Sequence, residues 1–334
     1  MKKSVKWALI GASIAAGVGI GAAAVSELVT KTLVGEALDR QEPKLMQNAM
    51  SKLAGSGGLD PEEQKKIQAV RERFLARDYR EIRITSFDGT ELAAHYFEVP
   101  NAKRVLIAMH GWRSSWDRDF AVISSFWEEC GCSVLYAEQR GQGQSGGGHM
   151  GFGLLERFDC LSVTQWVCEH LAGDLPVYLM GLSMGATTVL MTAGFPALPE
   201  QVKGVVADCG FTSPGAIWKH VMEDNLKLSY RGLRQREVNA LCKKMIGMES
   251  SCYSTLDAMK ENTRVPILFI HGTDDHFVPV QMTVENYEAC RAPKKLLIVP
   301  GADHALSYLL DREKYEAITK EFFAEHDGDQ TVEA

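Results

Sequence analysis

Short, continuous apolar runs recur along the chain, and stretches rich in helix-forming residues separate them. Continuous apolar strands that alternate with helices are typical of a parallel sheet covered on both faces. The pattern therefore predicts an α/β fold with a mostly parallel central sheet and helices on both faces. The runs occupy residues 105–109, 133–137, 177–180, 205–207, 267–270 and 296–299, and the helix candidates occupy residues 119–129, 155–171, 186–193, 280–290 and 313–325.

A hairpin is predicted before the first of these apolar runs in the chain. Residues 83–87 and 91–99 have the composition of strands, and Asp88 and Gly89 lie between them. An Asp-Gly pair between two strand-like segments favours a tight turn. We therefore expect two antiparallel strands before the first parallel one.

One interval between strands is unusually long. About fifty residues separate residues 212 and 262, well beyond a simple crossover. The segment is helical in character, contains Trp218 and Tyr230, and leaves the carboxyl edge of the sheet, where loops commonly bear function. We interpret it as a helical cap that shapes a substrate pocket; a packing insertion unrelated to function is the alternative.

The amino-terminal segment resembles a membrane span. No charged residue occurs from Trp7 to Ser26, and three lysines precede this stretch. Roughly 20 residues are enough to cross a bilayer as a helix, whereas signal-peptide cores usually have about 7–15. Length therefore favours an uncleaved anchor over a signal peptide cut near residues 22–24.

The lysines before the stretch also predict an orientation. Basic residues tend to remain in the cytoplasm, so the expected location is the cell membrane, single-pass, with the main domain outside the cytoplasm. Secretion after signal cleavage is the alternative. Unpaired cysteines argue mildly against export, because exported proteins tend to pair or avoid them.

The chain divides into an anchor or signal segment at residues 1–29, a helical stalk or packing region at residues 30–77, a main domain at residues 78–326 with the insertion at about 212–262, and a flexible tail at residues 327–334. In the second region, Asp60 followed by Pro61 has the composition of a helix start.

Composition excludes several classes of protein. The 334 residues are 46% hydrophobic and 24% charged, as in an ordinary globular protein. The net charge of -7 offers no electrostatic reason for a nucleic-acid partner. The eight cysteines contain no C-x-x-C pair, which favours buried free thiols over a zinc site; Cys209 follows an apolar run and is expected to be a small core residue.

A possible nucleophile follows the run at residues 177–180. Gly181-Leu182-Ser183-Met184-Gly185 reads G-x-S-x-G and precedes a helix candidate. Strand, sharp turn and helix together are the setting of a nucleophile elbow, which exposes a serine hydroxyl at the end of a strand. The glycines suit a turn that brings backbone segments close together.

A base and an acid are available at neighbouring strand ends. A serine hydroxyl needs a base, which histidine supplies, and a carboxylate that orients the imidazole. Asp274 and Asp275 follow the run at residues 267–270, and His304 follows the run at residues 296–299. These positions lie at the sheet edge where parallel α/β proteins bind ligands. Asp208, at the end of another run, is an alternative acid.

Four further motifs each follow a predicted strand. They are the H-G turn at residues 110–112, the R-G-x-G-x-S loop at residues 140–145, the acid loop at residues 271–279 and the histidine loop at residues 301–304. Their order is that of the α/β-hydrolase family, which residues 79–326 resemble. The family pattern H-G-x-x-D-x-x-V-P selects Asp275 over Asp274. The family has Asp where this chain has Glu138, a departure expected to affect loop packing only.

The resemblance implies an α/β-hydrolase fold in which Ser183 is the nucleophile, His304 the base and Asp275 the acid. It also implies an oxyanion hole formed by the backbone N–H groups of Trp112 and Met184. No metal or organic cofactor is implied. Of the remaining polar candidates, His110 and His271 are expected to bond loop backbone, and Asp303 is expected to be a turn or cap residue. His276 has the wrong spacing to act as the base. His149 follows three glycines in a loop that can approach the site, but it has no motif support.

The chain most resembles bacterial hydrolases described as serine aminopeptidase-like or monoacylglycerol-lipase-like. We expect a serine hydrolase acting on carboxylic esters; a serine peptidase or aminopeptidase and an acyltransferase are the alternatives on the same fold. The expected partners are a small-molecule ester, lipid or peptide substrate and, through residues 7–26, the membrane.

Overall fold

The computed structural model describes residues 19–41 and 60–327, with the side chains of residues 26–41 and 60–327. Eight strands form one sheet in the order β1-β2-β4-β3-β5-β6-β7-β8. The strands are β1 (Arg80–Thr85), β2 (Glu91–Phe97), β3 (Arg104–Met109), β4 (Cys132–Ala137), β5 (Val177–Leu182), β6 (Val202–Asp208), β7 (Ile267–Gly272) and β8 (Lys294–Val299).

The sheet is mixed, with its antiparallel part at one edge. Strands β1 and β2 form the predicted hairpin, with Ile82 opposite Ala94, and β2 is antiparallel to β4. Strands β3 to β8 are parallel to one another. Every residue of β3, β4, β5 and β7 is buried, as expected where helices cover both faces. The predicted fold class is confirmed.

Helices flank the sheet and extend before and after it. In chain order they are α1 (Gly19–Leu38), α2 (Pro61–Leu75), α3 (Trp116–Phe120), α4 (Ser124–Glu129), α5 (Glu156–His170), α6 (Met184–Ala193), α7 (Pro214–His220), α8 (Leu233–Ile246), α9 (Thr255–Glu261), α10 (Val280–Ala289), α11 (Ser307–Leu310) and α12 (Arg312–His326), and a π-helical turn at Val221–Asn225 follows α7.

One predicted helix is divided in two. Residues 119–129 were expected to form a single helix, but turn residues at 121–123 separate α3 from α4. Val122 and Ile123 in this junction both line the main cavity. Both are β-branched, which weakens local helix preference, and both also pack in the apolar cluster on this face of the sheet, so that tertiary contacts compete with the helical preference.

The amino-terminal helices rest on the main domain. Asp60 caps α2, because its carboxylate accepts the backbone N–H groups of Glu62 and Glu63 at 2.8 and 2.9 Å. Phe74 near the end of α2 is buried and stacks on Phe97 with ring centroids 4.9 Å apart. Helix α1 packs against α8 of the insertion. Within the described ranges, no helix is both long and apolar enough to cross a membrane; residues 7–18 of the predicted span lie outside them.

The long interval between β6 and β7 contains α7, the π-helical turn, α8 and α9. Its buried side chains join one apolar cluster with residues of the elbow and of the loop after β7. Ile217, Trp218 and Met222 of the insertion pack in this cluster with Met184 and Phe277. The insertion therefore covers the carboxyl edge of the sheet above Ser183.

Candidate active site

Ser183 lies on a strained turn between β5 and α6. Its backbone has φ 56° and ψ −116°, a combination that costs a non-glycine residue on the order of 1–3 kcal/mol. The turn is possible only with glycine on both sides. A Cβ at Gly181 would lie 2.2 Å from the carbonyl oxygen of Gly185, and one at Gly185 would lie 1.8 Å from that of Met109. The predicted elbow is therefore present, with the serine hydroxyl at the carboxyl end of β5.

The fold brings the predicted nucleophile, base and acid together. His304 Nε2 lies 2.9 Å from Ser183 Oγ, and His304 Nδ1 lies 2.7 Å from Asp275 Oδ2. All three residues are buried: Ser183 and Asp275 are each 7% exposed, and His304 is 5% exposed. The other carboxylate oxygen of Asp275 accepts the backbone N–H groups of Phe277 and Val278 at 2.9 and 2.7 Å. The arrangement can pass a proton from the hydroxyl to the imidazole.

Electrostatics favour an ionised acid beside a basic imidazole. Burial by itself raises the pKa of Asp275. The charge of His304 and hydrogen bonds from His271 and His304 outweigh burial and hold this pKa below the usual range of an aspartate. Burial lowers the pKa of His304, whereas Cys209 and the carboxylate of Asp275 raise this pKa above the ordinary histidine value. The carboxylate can thus stabilise the imidazolium that forms when Ser183 loses its proton.

His271 has a role that sequence reasoning missed. Its Nε2–H lies 2.9 Å from the carbonyl oxygen of Val278, as expected of a backbone partner, but also 3.0 Å from Asp275 Oδ2. Its Nδ1 accepts the hydroxyl of Thr283 at 2.6 Å, and this network assigns the tautomer. The only signal in the sequence was the position of His271 four residues before the acid.

Two residues at the end of β6 also lie beside the imidazole. The Sγ atom of Cys209, a carboxylate oxygen of Asp275 and a ring nitrogen of His304 all lie within 4.8 Å of one another. Burial raises the pKa of the Cys209 thiol to about 11. Cys209 is thus buried as expected, but it also contacts the site. Asp208 accepts the hydroxyl of Ser307 at 3.3 Å, and burial raises its pKa to about 6. The carboxylate bonded to His304 is that of Asp275, as the motif indicated.

The surroundings of Ser183 suit the two expected oxyanion donors. Met184 is the first residue of α6, and first-turn N–H groups have no partner within their helix. A Cβ built on Gly111 would lie 3.5 Å from Ser183 Cβ, so the turn leading to Trp112 passes beside the nucleophile. Asp119 holds this turn, because its Oδ2 accepts the backbone N–H of Gly111 at 2.7 Å.

The other predicted polar residues support the surrounding loops. His110 bonds loop backbone as expected: its Nδ1–H donates to Gly111 O at 2.8 Å, and its Nε2 accepts the N–H of Gln139 at 3.1 Å. Glu138 bonds His95 at 2.8 Å and the backbone of Gln144.

The polar residues of the histidine and glycine-rich loops lie outside the hydrogen-bonded chain through Ser183. Asp303 accepts the backbone N–H groups of His304 and His276 at 2.7 and 3.3 Å, in keeping with a turn residue. His149 lies against Asp39, with which its backbone forms a short bridge. Neither His276 nor His149 lines the cavity next to Ser183.

A cavity of about 670 Å³ opens beside Ser183 and His304. Its volume lies within the range of small-molecule sites. Apolar side chains of the insertion and of the loop after β7 form part of the lining, and both amino-terminal helices contribute to it as well. Acidic lining residues are Glu36, Asp119 and Asp208.

Comparisons with known proteins agree with this architecture. Residues 100–251 match the model of the family described as Serine aminopeptidase, S33 (Hydrolase_4). The protein YqkD of Bacillus subtilis, described as uncharacterized, is 27% identical over 257 residues, which are 72% of this chain and 77% of YqkD.

Solved structures with the same fold include an esterase. The Pf2001 esterase of Pyrococcus furiosus superimposes with a TM-score of 0.62 at 20% identity, covering 81% of this chain and 96% of that one. Est1E of Butyrivibrio proteoclasticus, solved with bound ferulic acid, gives a TM-score of 0.57 at 19% identity, covering 73% and 98%. At such identities the likeness is one of fold.

Proposed function

We propose that the protein is a serine hydrolase of the α/β-hydrolase superfamily that acts on carboxylic esters; the family match, the relative YqkD and the shared fold of the Pf2001 esterase support this assignment. The observation that carries the proposal is the unbroken chain of hydrogen bonds from Ser183 through His304 to Asp275 beside a cavity. Fold alone does not assign an activity, whereas a site with this geometry and chemistry supports one.

The reaction follows from the positions of these groups. Ser183 Oγ attacks the ester carbonyl while His304 Nε2 takes its proton, and Asp275 stabilises the imidazolium. The backbone N–H groups of Trp112 and Met184 bind the negative oxygen of the tetrahedral intermediate. His304 then gives the proton to the alcohol oxygen as the ester C–O bond breaks. The alcohol departs, and the acyl group remains bonded to Ser183 Oγ. A water molecule, deprotonated by His304, releases the acid and restores the hydroxyl.

Two lines support esters as the substrate class. Of the two solved structures named above, the Pf2001 protein is called an esterase, and Est1E was solved with bound ferulic acid, a carboxylic acid. The cavity beside Ser183 is also walled by apolar side chains, among them Phe152, Trp218 and Met222. Such walls favour an acyl or aromatic group over a charged one.

The test uses the full-length protein with two matched substrate series, p-nitrophenyl esters and aminoacyl anilides. We expect turnover of the esters, stoichiometric labelling by a fluorophosphonate probe, and loss of both in Ser183→Ala. An intact protein that neither reacts with the probe nor hydrolyses an ester would refute the proposal.

One observation favours a second candidate, aminopeptidase activity. Such an enzyme needs a carboxylate to bind the substrate ammonium group. Asp119 and Asp208 are engaged by neighbouring donors, whereas Oε2 of Glu36 is buried and has no hydrogen-bond partner within the described part of the chain. Burial also raises the pKa of Glu36, although Arg113 opposes this change.

The two activities predict different effects of one substitution. If the protein is an aminopeptidase, Glu36→Gln lowers turnover of aminoacyl anilides and leaves esters unaffected. The matched control is Glu27→Gln, on the same helix but paired with Lys31 at its surface. Absence of anilide turnover in the wild type would exclude this candidate.

We also propose that residues 7–26 attach the protein to the cell membrane, with the main domain outside the cytoplasm. The absence of charge in this stretch and the lysines before it support the proposal. The protein should remain with membranes after alkaline carbonate extraction, and protease added to spheroplasts should degrade its main domain. Release into the medium would favour signal cleavage instead.

A further inference from the structure

The end of helix α1 is bonded to the turn that follows β3. The indole N–H of Trp112 donates to the carbonyl oxygen of Ala37 at 2.8 Å. Arg113 Nη2 donates to the carbonyl oxygens of Glu36 and Asp39 at 2.6 and 2.7 Å. The last carbonyls of a helix lack partners within it and form the negative end of its dipole. The main domain therefore supplies the donors that this helix end needs.

The residues after α1 are bonded to the glycine-rich loop at residues 141–148. The guanidinium of Arg40 donates to the carbonyl oxygens of Gly143 and Gly147 at 2.6 and 3.3 Å. Two backbone hydrogen bonds also join residues 38–40 to residues 148–150. Met150 N donates to Leu38 O at 2.7 Å, and Arg40 N donates to Gly148 O at 3.0 Å. This part of the chain is therefore fixed on both sides of the helix end.

The same helix is a wall of the cavity. Val34 and Leu38 are 1% and 0% exposed and belong to the apolar cluster that contains Met184. Leu33 and Ala37 line the cavity that reaches Ser183. At the opposite end of the described side chains, Arg234 of α8 donates to Ser26 and Thr30. Residues 26–40, which we name the docking segment, thus contact the insertion, the cavity and the glycine-rich loop.

We infer that the docking segment is a working part of the active site, which positions Trp112 and forms one wall of the cavity. The inference rests on the proposed function, because Trp112 matters through its backbone N–H in the oxyanion hole. The indole bond to Ala37 restrains the side chain of the residue whose backbone must face the developing oxyanion. A displacement of about 1 Å in such a group can cost up to about 10²-fold in rate.

The first test removes one bond from the docking segment without removing the backbone donor. In the full-length protein, Trp112→Phe should lower kcat for a short p-nitrophenyl ester roughly 10-fold and leave KM nearly unchanged. The control is Trp166→Phe, because Trp166 is partly buried and stacks on His170 away from α1; it should retain wild-type kcat.

The second test releases the docking segment without touching Trp112. Arg40→Gln removes the side-chain bonds to the glycine-rich loop and, like Trp112→Phe, should lower kcat. Arg83→Gln is the matched control, since Arg83 donates to Gln144 of that loop from β1. If Trp112→Phe fails to fold, judged by thermal unfolding, the comparison of Arg40→Gln with Arg83→Gln decides.

The third test concerns the wall. Ala37→Leu places a larger side chain against the cavity and should lower kcat/KM for dodecanoyl esters at least several-fold more than for butyryl esters. Wild-type kcat in both Trp112→Phe and Arg40→Gln, with an unchanged chain-length profile in Ala37→Leu, would overturn the inference while ester hydrolysis stood. A wild type that neither hydrolyses esters nor labels with fluorophosphonate would instead refute the proposed function.

Discussion

The imidazole of His271 and the carboxylate of Asp275 are hydrogen-bonded, with Nε2 3.0 Å from Oδ2. The same oxygen lies 2.7 Å from Nδ1 of His304, so two imidazoles share one carboxylate oxygen. A second rigid donor keeps the carboxylate ionised and aimed at His304. The proposed acid is therefore oriented from the strand that carries it as well as from its own loop.

Loss of this second donor should impair the reaction without abolishing it. We expect His271→Ala to lower kcat/KM roughly 10- to 100-fold, because a hydrogen bond to a charged group contributes about 1.5–3 kcal/mol. Ester kinetics measure the change. His276→Ala, an exposed histidine of the same loop, is the control, and equal activity of the two variants would contradict the proposed role of His271.

The neighbouring aspartates provide a direct test of the assigned acid. Asp275→Asn preserves shape but removes the charge that stabilises the imidazolium, and we expect kcat to fall by about 10⁴-fold. Asp274→Asn changes an exposed carboxylate and should leave kcat close to that of the wild type. A large loss in Asp274→Asn with a small one in Asp275→Asn would reverse the assignment.

The pH dependence of kcat/KM should report the coupling of His304 to Asp275. His304 must be neutral to accept the proton of Ser183, so activity rises with pH through the pKa of His304. Because Asp275 raises that pKa, the midpoint of the acidic limb should lie above the ordinary histidine value of 6.5. In Asp275→Asn the residual activity should show this limb at lower pH. A limb at the same pH in both proteins would argue against the coupling.

Asp208 should make the protein less stable as pH rises. Its pKa is raised from 3.8 to about 6 by burial, although His271 and Tyr315 oppose the change. The unfolded chain therefore ionises first, and the free energy of unfolding falls between about pH 4 and pH 6, by about 3 kcal/mol in total. Asp208→Asn should remove this dependence and gain relative stability above pH 6 in urea unfolding. The exposed Asp174→Asn serves as the control, and parallel pH profiles for wild type and Asp208→Asn would refute the prediction.

One substitution should have opposite effects at two glycines. A Cβ at Gly185 would lie 1.8 Å from the carbonyl oxygen of Met109, whereas a Cβ at Gly35 in α1 meets no atom within 4 Å. We expect Gly185→Ala to destabilise the protein by about 3 kcal/mol or more, since β3 and α6 must separate. Gly35→Ala should stabilise it by about 0.5–1 kcal/mol through helix preference. Thermal unfolding measures both, and a stable Gly185→Ala would mean that the elbow is looser than described.

Much of the sheet could be predicted because its signals are local. Each parallel strand is a continuous apolar run, and the turn at Asp88 and Gly89 lies between two alternating segments that pair as β1 and β2. The elbow was predictable for the same reason, since its glycines reflect contacts within a few residues of Ser183 and with the strand beside it. The proposed roles of Ser183, His304 and Asp275 stay predictions, and their geometry is consistent with them.

Other features depend on contacts that no local pattern encodes. Residues 119–129 have the composition of one helix, but turn residues divide it where Val122 and Ile123 pack in an apolar cluster. His271 was expected to bond only loop backbone, and its bond to Asp275 depends on how the loop after β7 folds back on the strand. The contact of Cys209 with His304 joins two strand ends far apart in the chain.

By itself, the sequence determined the α/β architecture, the elbow and the set of residues able to supply a nucleophile, a base and an acid. Short apolar runs, turn glycines and motif spacing act over a few residues, so they can be recognised without a structure. The tertiary structure alone decided that His271 supports Asp275, and that α1, separated from Trp112 by about 75 residues, closes the cavity. Such contacts arise because chain segments remote in sequence bury apolar surface and satisfy hydrogen bonds together, and the amino-acid order states neither the partners nor the distance.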